Sequence, residues 1–437
     1  MSIEKMNAMN GAICPCGKTH AFSADVVVGK GVIAQLPQYI RKYQATRAFV
    51  LSDKNTFAAA GNQVLNILSE NGIPYSSYSF PQEALEPDEH SVGSAAMHFD
   101  TKCDIIVGVG SGVINDIAKI ISNLSGKPYI IVGTAPSMDG YASASSSMTR
   151  DGLKISLPSR SADVIIGDTD ILCQAPLHMM KAGLGDMIAK YVSICEWRIS
   201  HLITGEYYCE DIAQLIRSAL KRCTDNAEGL LKRDEAAVQA VFEGLVIGGV
   251  AMNYAGLSRP ASGVEHYISH VLDMRGAEYG IPVDLHGIQC AIGTVIAVGL
   301  YEKIRKVCPD KEKALAYAAA FDKEAWFETL RQLLGKGAES MIALEAKEGK
   351  YDVAAHAARL EIILSNWDKI LQIIEEELPS AAQLDALMDT IEAPKTLKEI
   401  GVEESLLPTV FRATKDIRDK YVLSRLAWDL GVLEELI

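Results

Sequence analysis

The 437-residue sequence lacks the features that mark several large classes of protein. Positive charge is scarce: the net charge is −14, whereas binding to nucleic acid needs a basic surface, so we expect no nucleic-acid partner. No stretch approaches a membrane span of roughly 20 apolar residues, and the first residues have no apolar core like that of a signal peptide. These absences predict a cytoplasmic protein without a membrane span.

Cysteine is also sparse, and its pattern excludes a disulfide framework. The nine cysteines are scattered, and their odd number suits reduced thiols in a cytosol. Cys14-Pro-Cys16, followed by Gly17 and His20, resembles a small metal or redox motif. Because no second cysteine pair completes a tetrahedral metal site, we interpret this motif as a surface turn with chance cysteines.

The remaining composition predicts two domains, since apolar residues make up 49% of a chain too long for one compact core. Short apolar runs alternate with helical patterns up to about residue 170, and this alternation indicates an α/β domain with a doubly wound, mostly parallel sheet. The predicted strands are 25–28, 47–51, 75–80, 104–108, 129–133 and 164–167, and the predicted helices are 33–43, 56–71, 87–99 and 113–125.

Two further segments complete the predicted architecture. Residues 143–157 resemble a hairpin about the turn Asp151-Gly152. From about Pro176 the pattern is almost wholly helical, which predicts an all-α second domain. We therefore assign 1–172 to a dinucleotide-binding α/β domain and 173–437 to a helical metal- and substrate-binding domain.

A glycine-rich loop is the first candidate for cofactor binding. Gly108-Val-Gly-Ser-Gly112 lies between a predicted strand and a predicted helix, and the helix continues through Asn115 and Asp116. Glycine allows the backbone to approach a pyrophosphate closely, and the N-H groups at a helix start stabilise its charge. The loop follows the fourth strand rather than the first, which is unusual for this fingerprint. A tight strand-helix turn is the alternative interpretation.

The next strand ends in a second candidate loop, Gly133 to Gly140, whose small hydroxyl residues suit a cofactor phosphate or nicotinamide. Asp139 is placed to accept a hydrogen bond from a substrate hydroxyl, although an aspartate before glycine is also common in turns. Asp53, just after the second strand, is placed to bond a ribose; many surface aspartates look the same. An acid at this position favours NAD over NADP.

One aspartate and three histidines form a candidate metal site. Asp186 stands at the predicted start of an apolar helix, within the stretch Gly183-Leu-Gly-Asp186. His266 and His270 are four residues apart and so share one helix face, and His286 opens another apolar helix. One aspartate and two histidines suit a catalytic divalent metal, with one position open for substrate. If His266 and His286 are ligands, His270 is left to contact substrate.

Four neighbouring residues are candidates for supporting roles. Ser262 and Glu265 have the spacing of a capping box that starts the helix of His266. Lys190, one turn after Asp186, and Arg259, just before the capping box, could supply positive charge to an anionic substrate. The alternative for both basic residues is a solvated surface position.

Together these motifs resemble the iron-containing alcohol dehydrogenase and dehydroquinate synthase-like superfamily, over roughly residues 20–310. The order of the motifs is more specific than any one of them. The motifs are Gly108-x-Gly-Ser-Gly-x-x-Asn-Asp116, Thr134-Ala-Pro-Ser-Met-Asp-Gly140, Gly185-Asp186, Glu265-His266-x-x-x-His270 and His286-Gly287.

The resemblance implies roles for particular residues. It implies that Asp186, His266 and His286 hold one divalent metal (Zn, Ni or Fe) and that Asp139, Asp186 and His270 contact substrate, with Lys190 beside them. It also implies that NAD or NADP contacts a larger group of residues, most of them in the two loops. With Asp53 and Asp116 from the loops above, the candidate cofactor residues are Asp53, Gly110, Ser111, Gly112, Val113, Ile114, Asp116, Thr134, Ala135, Pro136, Ser137 and Ser143.

The stretch from Thr134 to Ser143 and the stretch from Gly185 to Tyr191 most resemble the branch that interconverts dihydroxyacetone phosphate and sn-glycerol 1-phosphate. Iron-dependent alcohol dehydrogenases have a histidine four residues after the ligand aspartate; here that residue is Lys190, which disfavours a four-ligand iron site. The alternatives are a glycerol or polyol dehydrogenase, a dehydroquinate synthase-like lyase that uses NAD transiently, and a non-catalytic dinucleotide sensor. We expect a small phosphorylated substrate and a homo-oligomer, dimeric or larger.

Overall fold

The computed structural model describes residues 2–150 and 153–437. The chain forms two compact units. The first unit comprises the chain up to Met187 together with Gln214–Leu257, and the second comprises Ile188–Ala213 and Ser258–Ile437. The predicted boundary between residues 172 and 173 follows the last strand of the sheet. Beyond this boundary, the chain up to Met187 and the segment Gln214–Leu257 still belong to the first compact unit.

The first unit is built on a parallel sheet. Among the described residues, six strands hydrogen-bond in the order β1-β8-β5-β4-β2-β3, and a separate antiparallel pair joins β6 to β7. The central strands β4, β5 and β8 are buried along their whole length, as their continuous apolar sequences predict. The strands are β1 Asp25–Gly29, β2 Ala48–Asp53, β3 Tyr75–Phe80, β4 Ile105–Gly110, β5 Tyr129–Gly133, β6 Ser145–Arg150, β7 Leu153–Pro158 and β8 Val164–Asp168.

Helices account for most of the remaining chain, and the helical pattern predicted beyond Pro176 is confirmed. Up to residue 255 they are α1 Ser2–Met9, α2 Leu36–Lys42, α3 Lys54–Thr56, α4 Asn62–Glu70, α5 Glu89–His98, α6 Gly112–Ser125, α7 Thr169–Leu172, α8 Leu177–Ile188, α9 Lys190–Thr204, α10 Glu210–Asp225 and α11 Glu235–Ala255. A π-helical segment, Phe57–Gly61, joins α3 to α4.

The later helices belong to the second unit, where α12 and α13 pack against each other and α9 packs against both. They are α12 Val264–Tyr279, α13 His286–Ile304, α14 Lys311–Ala319, α15 Lys323–Leu334, α16 Gly337–Glu348, α17 Val353–Ser365, α18 Trp367–Glu377, α19 Ala381–Thr390, α20 Leu407–Thr414, α21 Leu423–Asp429 and α22 Leu433–Leu436. Short 3-10 segments lie at Val32–Gln35, Asp139–Tyr141, Ala227–Gly229, Lys398–Ile400 and Glu404–Leu406.

Apolar packing fixes the helices on the sheet of the first unit. On one face, buried residues of α2 and α4 meet the valines of β2 and β4 in a single apolar cluster. Phe242 of α11 packs so closely that a Cβ at Gly133 or Gly167 would overlap its ring. Glycine at these two positions therefore lets α11 approach strands β5 and β8 directly.

Two further predictions concern the hairpin and the absence of a membrane span. The hairpin strands β6 and β7 form as predicted, with Arg150 opposite Leu153, while the predicted turn Asp151-Gly152 lies outside the described residues. Helices α11 and α13 are long and apolar enough to cross a membrane, contrary to the expectation that nothing in the chain approaches a span. Their most apolar windows are 78% and 72% buried inside the protein, as in core helices.

Candidate functional site

The two predicted cofactor loops lie side by side at the carboxyl edge of the sheet. Strands β4 and β5 are paired neighbours, and beyond them the backbone N-H of Thr134 donates to the carbonyl of Gly110 at 3.1 Å. The hydroxyls of Ser111 and Ser137 are 2.5 Å apart. The strand order reverses between β2 and β4, and ligands of open parallel sheets bind at such a reversal.

The glycine-rich loop opens helix α6 with its backbone amides. Ser111 is the residue before the helix, and its side chain makes no capping bond to the first turn. The first amides of a 14-residue helix therefore present partial positive charge at this loop, which suits a phosphate. Gly110 is also required by the turn itself, because a Cβ there would overlap the side chain of Ile114.

A buried lysine that sequence reasoning missed organises the second loop. Lys119 of α6 donates from Nζ to the Gly140 carbonyl at 2.6 Å and to the Ser143 hydroxyl at 3.0 Å, and it lies 3.5 Å from Asp116. Burial lowers the pKa of Lys119, and the carboxylate of Asp116 partly offsets that effect. The predicted cofactor residues Asp116 and Ser143 are thus linked through one ammonium group.

Asp53, the predicted ribose partner, ends β2 beside this edge and also caps a helix. Its Oδ1 atom accepts the backbone N-H groups of Asn55 and Thr56, both at 2.8 Å. The Thr56 hydroxyl accepts the Asp53 N-H in return, which completes a capping box. The sequence signal for Asp53 therefore has a structural explanation of its own, and its contact with a ribose stays a prediction.

Asp186 lies next to the second loop, but not at a helix start. The prediction is wrong on this point: helix α8 begins at Leu177, so Asp186 is in its last turn, and Lys190 opens the following helix α9. The Oδ2 atom of Asp186 accepts the backbone N-H of Asp139 at 2.9 Å. A helix C-terminus disfavours a carboxylate, so a bound cation would offset an unfavourable field at this position.

Close packing holds Asp186 against the loop. A Cβ added at Gly183 would overlap the carbonyl oxygen of Pro136, so α8 can lie on the loop only because this residue is glycine. The candidate cofactor loop and the candidate metal ligand are therefore positioned by one helix contact within the first unit.

In the second unit, a carboxylate orients the first histidine. His266 is buried in the first turn of α12, and its Nδ1 atom lies 2.8 Å from Oε1 of Glu265. Since an ionised carboxylate only accepts, Nδ1 donates and Nε2 is left as the lone-pair nitrogen. Carboxylate-histidine pairs of this kind orient metal ligands and raise their basicity.

His286 stands beside His266 with a cysteine that the sequence reasoning missed. The rings of the two histidines are 5.2 Å apart, and His270 lies 5.9 Å from His286. Ligand atoms of His266, His286 and Cys290 all lie within 4.8 Å of one another. Cys290 follows His286 by four residues on α13, so helical spacing would have revealed it.

The electrostatics of this cluster also favour a soft cation. Burial by itself raises the pKa of the Cys290 thiol, but the rings of His266 and His286 lower it, and the resulting pKa is below the ordinary value. Two imidazoles and a thiol that ionises readily are donors that Zn, Ni or Fe accept. The residues present in this unit therefore fit a divalent transition metal.

A second buried glutamate stands behind Glu265. Glu196 of α9 accepts the N-H groups of Val264 at 2.9 Å and Leu423 at 2.8 Å, and it faces Glu265 across Gly263. Burial first, and the negative charge of Glu265 second, raise the pKa of Glu196 to about 8. Glu196 therefore holds a proton at neutral pH, beside the carboxylate that contacts His266.

The raised pKa of Glu196 predicts a pH-dependent stability. Between its ordinary pKa of 4.5 and about 8, the folded chain holds a proton that the unfolded chain has lost. This group therefore stabilises the fold fully at low pH, and the stabilisation is lost as the pH rises through 8. Glu196→Gln stays neutral and should flatten that decline in urea unfolding of metal-free protein from about pH 6 to about pH 9. An equally steep decline in Glu196→Gln and in the exposed control Glu404→Gln would contradict the assignment.

The predicted capping box and the two predicted basic residues differ from their predicted surroundings. The capping box is wrong, because α12 starts after Gly263 and the Ser262 hydroxyl accepts from Lys420 at 3.0 Å. Arg259 is buried and donates to Glu206 at 2.8 Å and to the Ser200 hydroxyl at 3.0 Å, so it is not solvated, and its guanidinium group binds partners within the protein. Lys190 is fully buried as well, and the surface alternative is wrong for both residues.

Comparison with known proteins supports the predicted resemblance to the iron-containing alcohol dehydrogenases. The family model described as iron-containing alcohol dehydrogenase matches residues 27–176. A solved structure, a probable glycerol dehydrogenase from Sinorhizobium meliloti, superposes with a TM-score of 0.60 over 95% of this chain and 98% of its own, at 17% identity. At that identity the likeness shows the fold, an α/β sheet part followed by a helical part, as predicted.

Two curated relatives define the branch. Glycerol-1-phosphate dehydrogenase (NAD(P)+) from Halalkalibacterium halodurans is 33% identical over 294 residues, which cover 66% of this chain and 74% of that protein. The protein of the same name from Bacillus licheniformis is 27% identical over 429 residues, which cover 97% of this chain and 94% of that one. The chain therefore belongs to the glycerol-1-phosphate dehydrogenase family, within the iron-containing alcohol dehydrogenases.

Proposed function

We propose that the protein interconverts dihydroxyacetone phosphate and sn-glycerol 1-phosphate, with NAD(P)H as hydride donor and one divalent metal. The observation that carries this proposal is the pairing of His266 and His286, with Glu265 orienting the first ring, in a chain whose relatives bear that activity in their names. The two cofactor loops lie where the strand order reverses, which is the position at which parallel sheets of this kind bind a dinucleotide.

We assign the metal to Asp186, His266 and His286, the three residues that the family resemblance implies. Glu265 fixes the tautomer of His266, and the Ser269 hydroxyl, 3.0 Å from Nδ1 of His286, holds the second ring. A bound divalent metal supplies a Lewis acid for the negative charge that develops on the substrate's carbonyl oxygen during reduction. The assignment makes Cys290 a neighbour of the ligands rather than one of them.

The protein's own contribution to hydride transfer is placement. In this proposal the α6 amides and the hydroxyls of Ser111 and Ser137 hold the cofactor's phosphates, and Lys119 keeps the loop through Ser143 in shape. NAD(P)H supplies the hydride, and the loops fix the face of the substrate that it reaches. The position of Asp53 at the end of β2 favours NAD.

For the substrate, we propose three contacts. Asp139, whose backbone is held by Asp186, accepts a hydrogen bond from a substrate hydroxyl. His270 lies one helical turn beyond His266 and is partly exposed, so it is placed to contact the substrate or its phosphate. Lys190 supplies positive charge from a buried position.

A substrate panel tests this function. Metal-reloaded protein should consume NADH with dihydroxyacetone phosphate, and an enzyme specific for the 3-phosphate should not accept the product. Oxidation of free glycerol by NAD, without reaction of the triose phosphate, would assign the protein to polyol dehydrogenases. Phosphate release from a heptulosonate phosphate without net change in NADH would assign it to the synthases. Cofactor binding with no turnover on any of these compounds would indicate a sensor.

We also propose that the protein is cytoplasmic and forms a homo-oligomer of two or more chains. The acidic net charge and the buried state of the two long apolar helices support an aqueous location. Light scattering on the eluate of a sizing column gives the mass directly, and a mass of 47.3 kDa at all concentrations would contradict the oligomer.

A further inference from the structure

The N-terminal segment folds into a tight cysteine-bearing turn. The N-H of Gly17 donates to the carbonyl of Cys14 at 2.9 Å, and the N-H of Cys14 donates to the carbonyl of Lys18, also at 2.9 Å. Ile13 and Thr19 pair as an antiparallel bridge, and Gly17 takes a φ of +83°, a conformation that favours glycine. The backbone of this turn therefore places Cys14 and Cys16 on one small loop that leads directly to His20.

His20 is held so that one ring nitrogen faces the cysteines. Its Nδ1 atom lies 3.0 Å from the carbonyl oxygen of Tyr254, which can only accept, so Nδ1 carries the proton. Nε2 lies 3.5 Å from Sγ of Cys16, and the ligand atoms of Cys14, Cys16 and His20 all lie within 4.8 Å of one another. The turn lies at the surface as predicted, with Pro15, Gly17 and Lys18 exposed, but His20 is 1% exposed and Cys14 is 8% exposed, so two of the donor side chains are buried.

We propose that Cys14, Cys16 and His20 bind a structural zinc ion, separate from the metal of the proposed reaction. Thiolates and imidazole are the donors that Zn²⁺ prefers in structural sites. With bonds of about 2.3 Å to sulfur and about 2.0 Å to nitrogen, a tetrahedral ion separates the two atom types by roughly 3.5 Å. The distance between Cys16 Sγ and His20 Nε2 already has that value. A further donor takes the fourth position.

The site would fasten the N-terminal segment to the rest of the first unit. Tyr254 of α11 receives the His20 hydrogen bond at its carbonyl and donates from its hydroxyl to the carbonyl of Met6 at 2.9 Å. Helix α1 packs against α11. Zinc would therefore close the loop from Cys14 to His20, and the hydrogen bond from His20 to Tyr254 would hold that loop against α11, the helix that packs directly on β5 and β8. Binding energy at such a site becomes folding stability of the segment it closes.

Cobalt substitution in the full chain provides the test. The variant His266→Ala, Cys290→Ser disables the ligand cluster around His286, so that bound cobalt reports on the N-terminal turn. We expect about one equivalent of Co²⁺ per chain, with thiolate-to-metal absorption in the near ultraviolet. Adding Cys16→Ser or His20→Ala should remove both signals, His20→Cys should retain them, and the exposed control Cys308→Ser should leave them unchanged.

A second measurement uses the unmutated chain, so it tests the proposal even if the variants do not fold. Zinc should protect at least two thiols from a thiol reagent, and a chelator should release them together with the metal. Mass spectrometry of the labelled peptides should place Cys14 and Cys16 among them. Bound cobalt that persists in Cys16→Ser, or labelling of both cysteines at the same rate with and without zinc, would overturn the proposal, as would recovery of a Cys14-Cys16 disulfide from freshly reduced, zinc-loaded protein.

Discussion

Replacing His266 by alanine should lower kcat/KM by more than roughly 100-fold, because even the outer partner of a metal-bound histidine is worth about 10–100-fold. His266 offers Nε2 from a buried ring that Glu265 holds in place at 2.8 Å. Its loss removes a ligand, so metal content should fall together with activity. Steady-state kinetics and elemental analysis of the same preparation measure both quantities.

The variant Glu265→Gln should have a smaller effect of the same kind as His266→Ala. Glutamine keeps the shape of the side chain but not its charge, so metal affinity should fall by about 10–100-fold while the fold persists. Excess metal should restore much of the activity of Glu265→Gln and little of that of His266→Ala. The exposed control His90→Ala should match the unmutated protein. Full metal content and full activity in His266→Ala would remove this histidine from the ligand set.

Gly183→Ala should be the most damaging single-methyl change in the first unit. The added Cβ overlaps the Pro136 carbonyl oxygen, which is backbone and cannot rotate away. Helix α8 must therefore shift, and with it Asp186 and the loop that carries Ala135 and Ser137. Overpacking of this kind costs about 1–3 kcal/mol of stability, and displacement of catalytic groups by about 1 Å can cost about 100-fold in rate.

The matched control for this variant is Gly93→Ala on helix α5. No atom lies within 4 Å of a Cβ placed at Gly93, so only the helix propensity changes there. Alanine should stabilise that helix by about 0.5–1 kcal/mol. Thermal unfolding and kcat/KM of the two variants separate a packing effect from a general effect of removing glycine. Equal behaviour of the two variants would show that the contact with Pro136 does not position the site.

The sheet strands were predictable because burial on both faces leaves a simple signature. The runs at β4, β5 and β8 are continuous and apolar, and the observed bounds differ from the predicted ones by at most two residues. Their order in the sheet was not predicted, since β8 lies between β1 and β5 through pairings more than 30 residues apart in sequence. Periodicity records which residues are buried, but not which strands are neighbours.

In the candidate site, too, some features could be predicted from the sequence and others could not. The histidines and the glycine-rich loop carry distinctive residue types and could be found from the sequence. Lys119 resembles a surface lysine until the fold shows it buried against the Gly140 carbonyl. Glu265 has the spacing of a helix cap, yet its carboxylate accepts from a histidine ring. Asp186 was predicted at a helix start but lies in the last turn of α8, where Gly183 is required by close packing against the Pro136 carbonyl.

The most direct test of the proposed activity is the rate of NADH loss with dihydroxyacetone phosphate, measured on protein stripped by a chelator and then reloaded with Zn, Ni or Fe. The proposal predicts no loss of NADH absorbance in the stripped protein and a restored rate with at least one of these metals, in proportion to the metal bound at His266 and His286. An unchanged rate after stripping would contradict metal dependence. Absence of any NADH loss with every metal, in protein that binds NADH, would contradict the proposed reaction.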